Sequence, residues 1–395
     1  MSSSEIITES AAIPEFSLFG GPLQKFAARL GLGRLGMGTL RLGLGLGLAA
    51  WCVLVLLALL QGAGAAIFSL SVVGVHVRLL VALPLLCAGE SFVAPRMAAF
   101  VRNILASGLV PEDEQPALAS DIRRIGRLAA NPLAEALLLL LALAAPLIGV
   151  FVNLPGVTGK WAAVLGPTGR ELYPVRAWYL VVCLPLFRFL LFRWLWRVGL
   201  WWYFLHRLGR RKLRLIPTHS DRAGGLGYLE VVQEHLAPLV VAISAVLSAS
   251  FAEGLAQGTT PFEALYALVP GALLFAAVLV LGPLFLFTPE LWICRSRGTD
   301  DYMAMAARYV RAFDRKWLRD EPASGESLLG APDIQSLADL TNSVDVVRGL
   351  RLIPCGRRLV FELAACVIVP ILPAILLKFP AHDVLVRLFR TLTGF

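Results

Sequence analysis

Charge is scarce in this chain. Asp, Glu, Lys and Arg make up 16% of its 395 residues, against about a quarter in ordinary soluble domains. Paired cysteines are missing too. The six thiols are Cys52, Cys87, Cys183, Cys294, Cys355 and Cys366, with no C-x-x-C pair among them. That excludes a disulfide framework and a zinc ribbon. Four lie inside apolar runs and two at their edges, so they read as small buried hydrophobes. There is no P-loop, no dinucleotide fingerprint, and no rhomboid, zinc-protease or lipid-phosphatase pattern. Enzyme chemistry therefore has little to stand on, and nothing calls for a cofactor or a metal. Apolar residues are what the chain has in quantity: 57% of the total, with a mean hydropathy of +0.73.

Those residues fall into seven runs, 46–68, 79–100, 132–152, 177–197, 236–253, 265–287 and 359–378. About 20 apolar residues suffice for one helical span. The expected fold is all-α: a polytopic transmembrane helical bundle of about seven spans, with amphipathic cytoplasmic helices. More than 40 residues precede the first run. That is longer than a signal peptide of about 15–30 residues, so the run reads as an uncleaved span. The chain divides into a basic, disordered N-terminal segment (1–45) and a six-span bundle (46–287) with loops 101–131 and 198–235. A helical segment (288–358), the seventh span (359–378) and a tail (379–395) follow.

The basic residues give the orientation. Segments 1–45, 101–131, 198–235 and 288–358 hold 25 Lys and Arg, whereas 69–78, 153–176, 254–264 and 379–395 hold 6. The positive-inside rule then places the first set, with the N-terminus, in the cytoplasm. The formal charge of +9 lies beside the spans, where it meets anionic headgroups rather than nucleic acid. A homo-oligomer is compatible with all of this. The weak element is the last span, because Val369-Pro370-Ile371-Leu372-Pro373 reads as a break that would return the tail to the cytoplasm.

Finer patterns lie on this frame. The Gly/Leu/Arg tract from Leu30 to Leu48 is a poor helix former. Gly43/Gly47 and Ala58/Gly62/Ala66 offer small residues at four-residue spacing for close helix packing. Tyr302, Met305, Tyr309, Phe313 and Trp317 recur at helical spacing, with arginines on the other faces. They describe a basic amphipathic helix at the membrane surface or beneath the bundle. Asp320 to Pro332 reads as a linker, and Ile334, Leu337, Thr341 and Val344 mark a second helix. The string Leu213-Arg214-Leu215-Ile216-Pro217 recurs as Leu350-Arg351-Leu352-Ile353-Pro354 without matching flanks.

Ionisable groups within a bilayer each cost roughly 2.5–3.5 kcal/mol on insertion scales. Glu90 and Arg188 both stand 11 residues into their runs. Equal depth makes them a buried pair near the midplane, and a proton- or ion-binding carboxylate if water reaches it. The plainer reading is a lock between helices. Arg96 matches Glu362 in depth, with Glu135 nearby. Pro84 and Pro95 bracket Glu90 and predict local unwinding. Arg193 and Arg197 read as snorkelling to the interface, with Trp194, Trp196, Trp201 and Trp202 as its aromatic belt.

The most distinctive polar string is Pro217-Thr218-His219-Ser220-Asp221-Arg222-Ala223-Gly224-Gly225-Leu226-Gly227. His219 and Asp221 beside Gly224, Gly225 and Gly227 read first as a capped tight turn. They read second as a ligand-binding or gating loop, with His235, Glu230 and Glu234 close in sequence. The string resembles a Pro-x-His-x-Asp-x-Ala-Gly-Gly-Leu-Gly loop of uncharacterised bacterial multi-spanning membrane proteins. The resemblance covers about a dozen residues. It implies a bacterial inner-membrane protein and brings no activity with it.

The favoured expectation is passage of an ion or small solute, with Glu90, Arg188, Arg96 and Glu362 along the path. The alternatives are a non-catalytic sensor or scaffold acting through 288–358, and an interfacial enzyme centred on His219 and Asp221.

Overall fold

The computed structural model describes residues 14, 16–19, 37–151, 173–319 and 330–377. Most of the expected outer loop 153–176, most of the linker after Asp320 and the whole tail 379–395, with the side on which it lies, fall outside the described residues. Among those described, every regular element is helical. Six helices are long and apolar enough to cross a membrane, or seven if the helix pair bent by 42° around residues 130–131 counts as one span. The chain is an all-α, multi-pass membrane protein.

The longer helices are α1 (Met37–Leu60), α2 (Leu83–Ala106), α3 (Gln115–Ala129), α4 (Pro132–Phe151), α5 (Leu184–Gly209), α6 (Tyr228–Glu234), α7 (Ala237–Ala256), α8 (Leu265–Leu281), α9 (Thr288–Asp314), α10 (Pro332–Arg348) and α11 (Arg357–Leu376). The main packing partners are α1 with α2, α4 with α5, and α7 with α11.

Helix α1 begins at Met37, inside the glycine tract. Each glycine costs a helix about 1 kcal/mol relative to alanine, and close packing offsets that cost. A Cβ on Gly43 would lie 2.7 Å from Cys87 Cβ and 2.9 Å from Pro84 Cα. The other small triplet does not form a packing face, since Gly62 (φ 71°) turns the chain after α1.

Glu90 sits in regular helix rather than an unwound stretch. The irregularity falls earlier: π-helical turns at Val77–Ala82 and Tyr179–Cys183 lead into α2 and α5, each just before a proline, Pro84 and Pro185. A wider turn absorbs the crowding that a proline ring brings against the preceding turn. Pro370 and Pro373 lie within a continuous α11. The expected break there does not form, as is usual where neighbouring helices supply the missing contacts.

Helix α3 was expected as loop. It buries Leu118, Asp121, Ile122 and Ile125 and leaves Arg123, Arg124 and Arg127 outside. Asn131 Oδ1 accepts from the Leu133 amide at 2.9 Å where α4 starts, a side-chain cap.

The N-terminal segment is not wholly apart from the fold. Phe16, Leu18 and Phe19 are buried. Phe16 packs edge-on to Trp201 and against Phe204, and Phe19 against Trp194. Trp194 and Trp201 are therefore core residues, not an interfacial belt; of the four tryptophans, Trp196 alone is exposed.

Segments 288–319 and 332–348 form an arm. The stretch Phe262–Arg319 is continuously helical, and its distal half pairs with α10. The seam on α10 is Leu337, Leu340, Val344 and Val347; Ile334 and Thr341 are exposed. Opposite lie Gly298, Tyr302, Ala306, Tyr309 and Phe313, none of them fully exposed, whereas Met305 faces out. Asp333 closes the far end, accepting from Lys316 Nζ at 2.9 Å and Trp317 Nε1 at 3.1 Å. The apolar stripe that read as membrane-seeking is thus covered by α10.

Candidate functional site

Three polar constellations stand out, and the first is a buried ion network. Arg193 Nη1 donates to Glu90 Oε1 at 2.6 Å, and Arg197 Nη1 lies 2.7 Å from the same oxygen. Glu135 Oε1 of α4 lies 3.3 Å from Arg193 Nε. Both guanidinium groups are almost fully buried. Arg193 and Arg197 are one turn apart on α5, so they present two charges to acids from α2 and α4. Two positive and two negative groups leave the network neutral.

Local sequence explains how the helices come so close. Gly89 makes room for the Trp194 ring, whose Cζ2 would lie 3.0 Å from a Cβ there. Trp194 Nε1 donates to Leu86 O at 2.7 Å. Phe19 covers the network, its ring centroid 4.6 Å from the Arg197 guanidinium carbon.

The expected Glu90–Arg188 pair is not formed, and Arg193 and Arg197 do not snorkel. The spans are longer than their apolar cores: Leu70–Ala106 and Pro174–Gly209. Contacts at 78–179, 90–193 and 100–201 show the two helices running parallel in steady register. Glu90 therefore meets Arg193. The second depth match also fails. Exposed Arg96 donates from Nε to His235 Nε2 at 3.2 Å, and Glu362 accepts from Arg358 Nε at 2.6 Å.

The second constellation lies at the Arg-poor end of the bundle and was missed in the sequence. Buried Glu253 accepts from the Gly74 amide at 2.7 Å. Arg78 donates to Ser250 Oγ at 2.8 Å and to Tyr179 Oη at 3.2 Å. A Cβ on Gly74 would lie 2.8 Å from Arg78 Nη1 and from both Glu253 oxygens, so the two charges flank one point. Arg188 belongs to this side of α5, and its Nη1 is buried with no hydrogen-bond partner among the described residues. The signal was present as a single arginine, Arg78, in an otherwise uncharged short loop. It was hidden because 70–82 is helix, not loop.

The third constellation is the loop 217–227. Asp221 turns its carboxylate inward: Oδ1 accepts from the Ala223 amide at 2.8 Å and Oδ2 from the Gly227 amide at 2.7 Å. The Gly225 amide reaches both oxygens, and His219 Nδ1 lies 2.8 Å from Oδ1. Burial by itself would raise the Asp221 carboxyl. The amides of Ala223, Gly227 and Gly225 and the His219 ring together outweigh it and hold the carboxyl below the usual range,. Gly225 (φ 100°) occupies backbone space closed to other residues, and Arg222 (φ 50°) is the one non-glycine residue with positive φ among those described.

This loop joins three other parts of the chain. Leu109 packs on Gly225, Leu291 on Gly224, and Pro217 on Gly298 of the arm. Arg351 donates from its backbone to Arg222 O, from Nη2 to Asp221 O and from Nη1 to Glu230 Oε2. Both Leu-Arg-Leu-Ile-Pro strings thus bond to this one loop, since the Ile216 amide bonds Gly224 O.

His235, Glu230 and Glu234 do not complete a ligand set with His219 and Asp221. Glu230 goes to Arg351, Glu234 lies 3.8 Å from Arg358, and His235 bonds Val231 O and Arg96. Among the described residues no group of three His, Cys, Asp or Glu side chains is placed to hold a metal. Both carboxylate oxygens of Asp221 accept from loop amides, so the His219–Asp221 pair organises a turn. The chain matches no family model, no curated protein and no solved structure.

Proposed function

We propose that this protein is a non-catalytic membrane sensor or scaffold that acts through its helical arm, in a bacterial inner membrane with the N-terminus cytoplasmic. The 25-to-6 partition of Lys and Arg supports the orientation. One observation carries the functional reading. The sixth span and the arm are a single helical stretch, Phe262–Arg319, and the arm's base is clamped by the 217–227 loop through Gly298 and Pro217. A tilt of that span moves the arm with it, because packed helices shift between discrete arrangements rather than bend freely. The neutral Glu90 network supports the same view: a carboxylate shared by two buried guanidinium groups acts as a lock.

The test is photo-crosslinking in cells from a probe at exposed Met305. A discrete adduct is expected, lost when Leu340→Asp opens the seam. Adducts indifferent to that substitution would sink the reading. Passage of an ion or solute is the second reading. It rests on Arg78, Arg188 and Glu253, which gather charge at the Arg-poor end. Flux in liposomes that is lost on Glu253→Gln would favour it.

A further inference from the structure

A cleft of about 370 Å³ opens where the sixth span becomes the arm, lined by Trp292, Arg295, Ser296, Thr299, Asp300, Arg348 and Leu352. That volume falls in the range of small-molecule sites, about 300–1,000 Å³.

Its position in the fold is well defined. Trp292 stands five residues after the 3₁₀ segment Gly282–Phe287, where the sixth span passes into the arm, and Leu352 five residues before α11 begins at Arg357. Two apolar helices flank the cleft at their Arg-rich ends, the level of lipid headgroups. Trp292 in its lining and Ile293, next in the chain, are exposed, which suits a wall facing acyl chains and the glycerol region.

The chemistry of the cleft is that of an anion site. Among the described residues neither Arg295 nor Arg348 has a carboxylate partner. Arg348 Nη2 makes only a 3.3 Å contact to Met303 Sδ, a weak acceptor that leaves its charge unbalanced. Ser296 adds a hydroxyl. Thr299 does not, because its Oγ1 already donates to Arg295 O at 2.7 Å. Two guanidinium groups that present flat forks of N–H donors fit phosphate oxygens. Asp300 removes one unit of charge, so the cleft balances a monoanion better than a dianion.

We propose that this cleft binds the phosphodiester of an anionic phospholipid headgroup, held by Arg295 and Arg348 with Trp292 against its glycerol. A phosphodiester carries one negative charge. Free phosphate, which carries more at neutral pH, meets Asp300 and lacks the apolar part that Trp292 would cover. The site is independent of what the arm does.

The experiment titrates the purified full chain in detergent with short-chain phosphatidylglycerol, phosphatidylcholine and inorganic phosphate. Phosphatidylglycerol should saturate a site. Phosphatidylcholine should bind at least about tenfold more weakly, since its choline cancels the charge. Replacing both Arg295→Gln and Arg348→Gln should weaken phosphatidylglycerol binding by about tenfold or more, the scale of lost charge-assisted bonds. Arg308→Gln with Arg311→Gln, further along the arm, should leave it unchanged. Arg348→Gln alone, at an exposed position, reads the same contact if the double variant unfolds. Equal binding by the cleft variants would overturn the site. Arginine-dependent binding of inorganic phosphate as tight as that of phosphatidylglycerol would overturn the lipid assignment.

Discussion

Glu90 and Arg193 lie 103 residues apart in the chain and 2.6 Å apart in the bundle. Removing one partner of a buried pair leaves an uncompensated charge, at a cost of about 3–5 kcal/mol. Glu90→Gln takes the shared carboxylate from Arg197 and leaves Arg193 with Glu135 alone, so it should fall at the high end. Arg188→Gln, which does not touch Glu90, should leave the network intact. A double-mutant cycle in detergent unfolding should give strong coupling for Glu90 with Arg193 and none for Glu90 with Arg188. Coupling to Arg188 instead would refute the register of α2 against α5.

Asp221→Asn should loosen the 217–227 loop. Asn offers one acceptor oxygen where the carboxylate serves three amides, and its amide end would face N–H groups. The expected cost is about 1–3 kcal/mol, read as faster hydrogen exchange at Ala223, Gly225 and Gly227. The pH dependence has a definite sign. The folded carboxyl is held below its ordinary value, so it contributes stability fully above the unfolded pKa of about 3.9. That contribution is lost as pH falls through the lower folded pKa. The wild-type loop should keep its protection near pH 5 and lose it well below 4, and the variant should lack that step. A wild-type loop that opened at pH 6 would contradict this account.

Hydropathy and the alternation of arginines were enough to find the spans and to sort the loops into two sets. Among the described residues, segments 69–78 and 254–264 meet at one end, where Gln257 bonds Ser71 O, and segments 101–131 and 198–235 meet where Arg214 bonds Leu109 O. Pairing was not legible. Depth matching used the apolar cores of the runs, and the helices extend past them, so the partner of Glu90 moved from Arg188 to Arg193. Nor was the covering of α9 visible, because a stripe of aromatics looks the same whether lipid or another helix meets it. The wrong register for α10 had a similar cause. Leu340 and Val347 complete a seam with Leu337 and Val344, but Ile334 and Thr341 fit the same helical spacing.

The arm gives a prediction with two sizes. Val344→Asp places a charge in the seam and should separate α9 from α10, since a buried unpaired carboxylate costs several kcal/mol. Asp333→Asn loses contacts at a solvent-accessible end, so its effect should be much the smaller of the two,. Spin labels at exposed Met303 and Gln335 should report separation in the first variant and the native distance in the second. Separation in both would mean that the far end, not the seam, holds the hairpin.

Phe19 is the last element whose role can be separated. Its ring packs on Trp194 and lies over Arg197, so it both fills space and faces a buried cation. Phe19→Ala removes both contributions and should cost about 3–5 kcal/mol, the range for a large aromatic lost from a core. Phe19→Leu keeps most of the volume and loses the ring face, which is worth about 0.5–2 kcal/mol over a guanidinium. If the ring steadies Arg197, Phe19→Leu should also reduce the coupling between Glu90 and Arg197 measured by a double-mutant cycle. An unchanged coupling would leave Phe19 as packing alone.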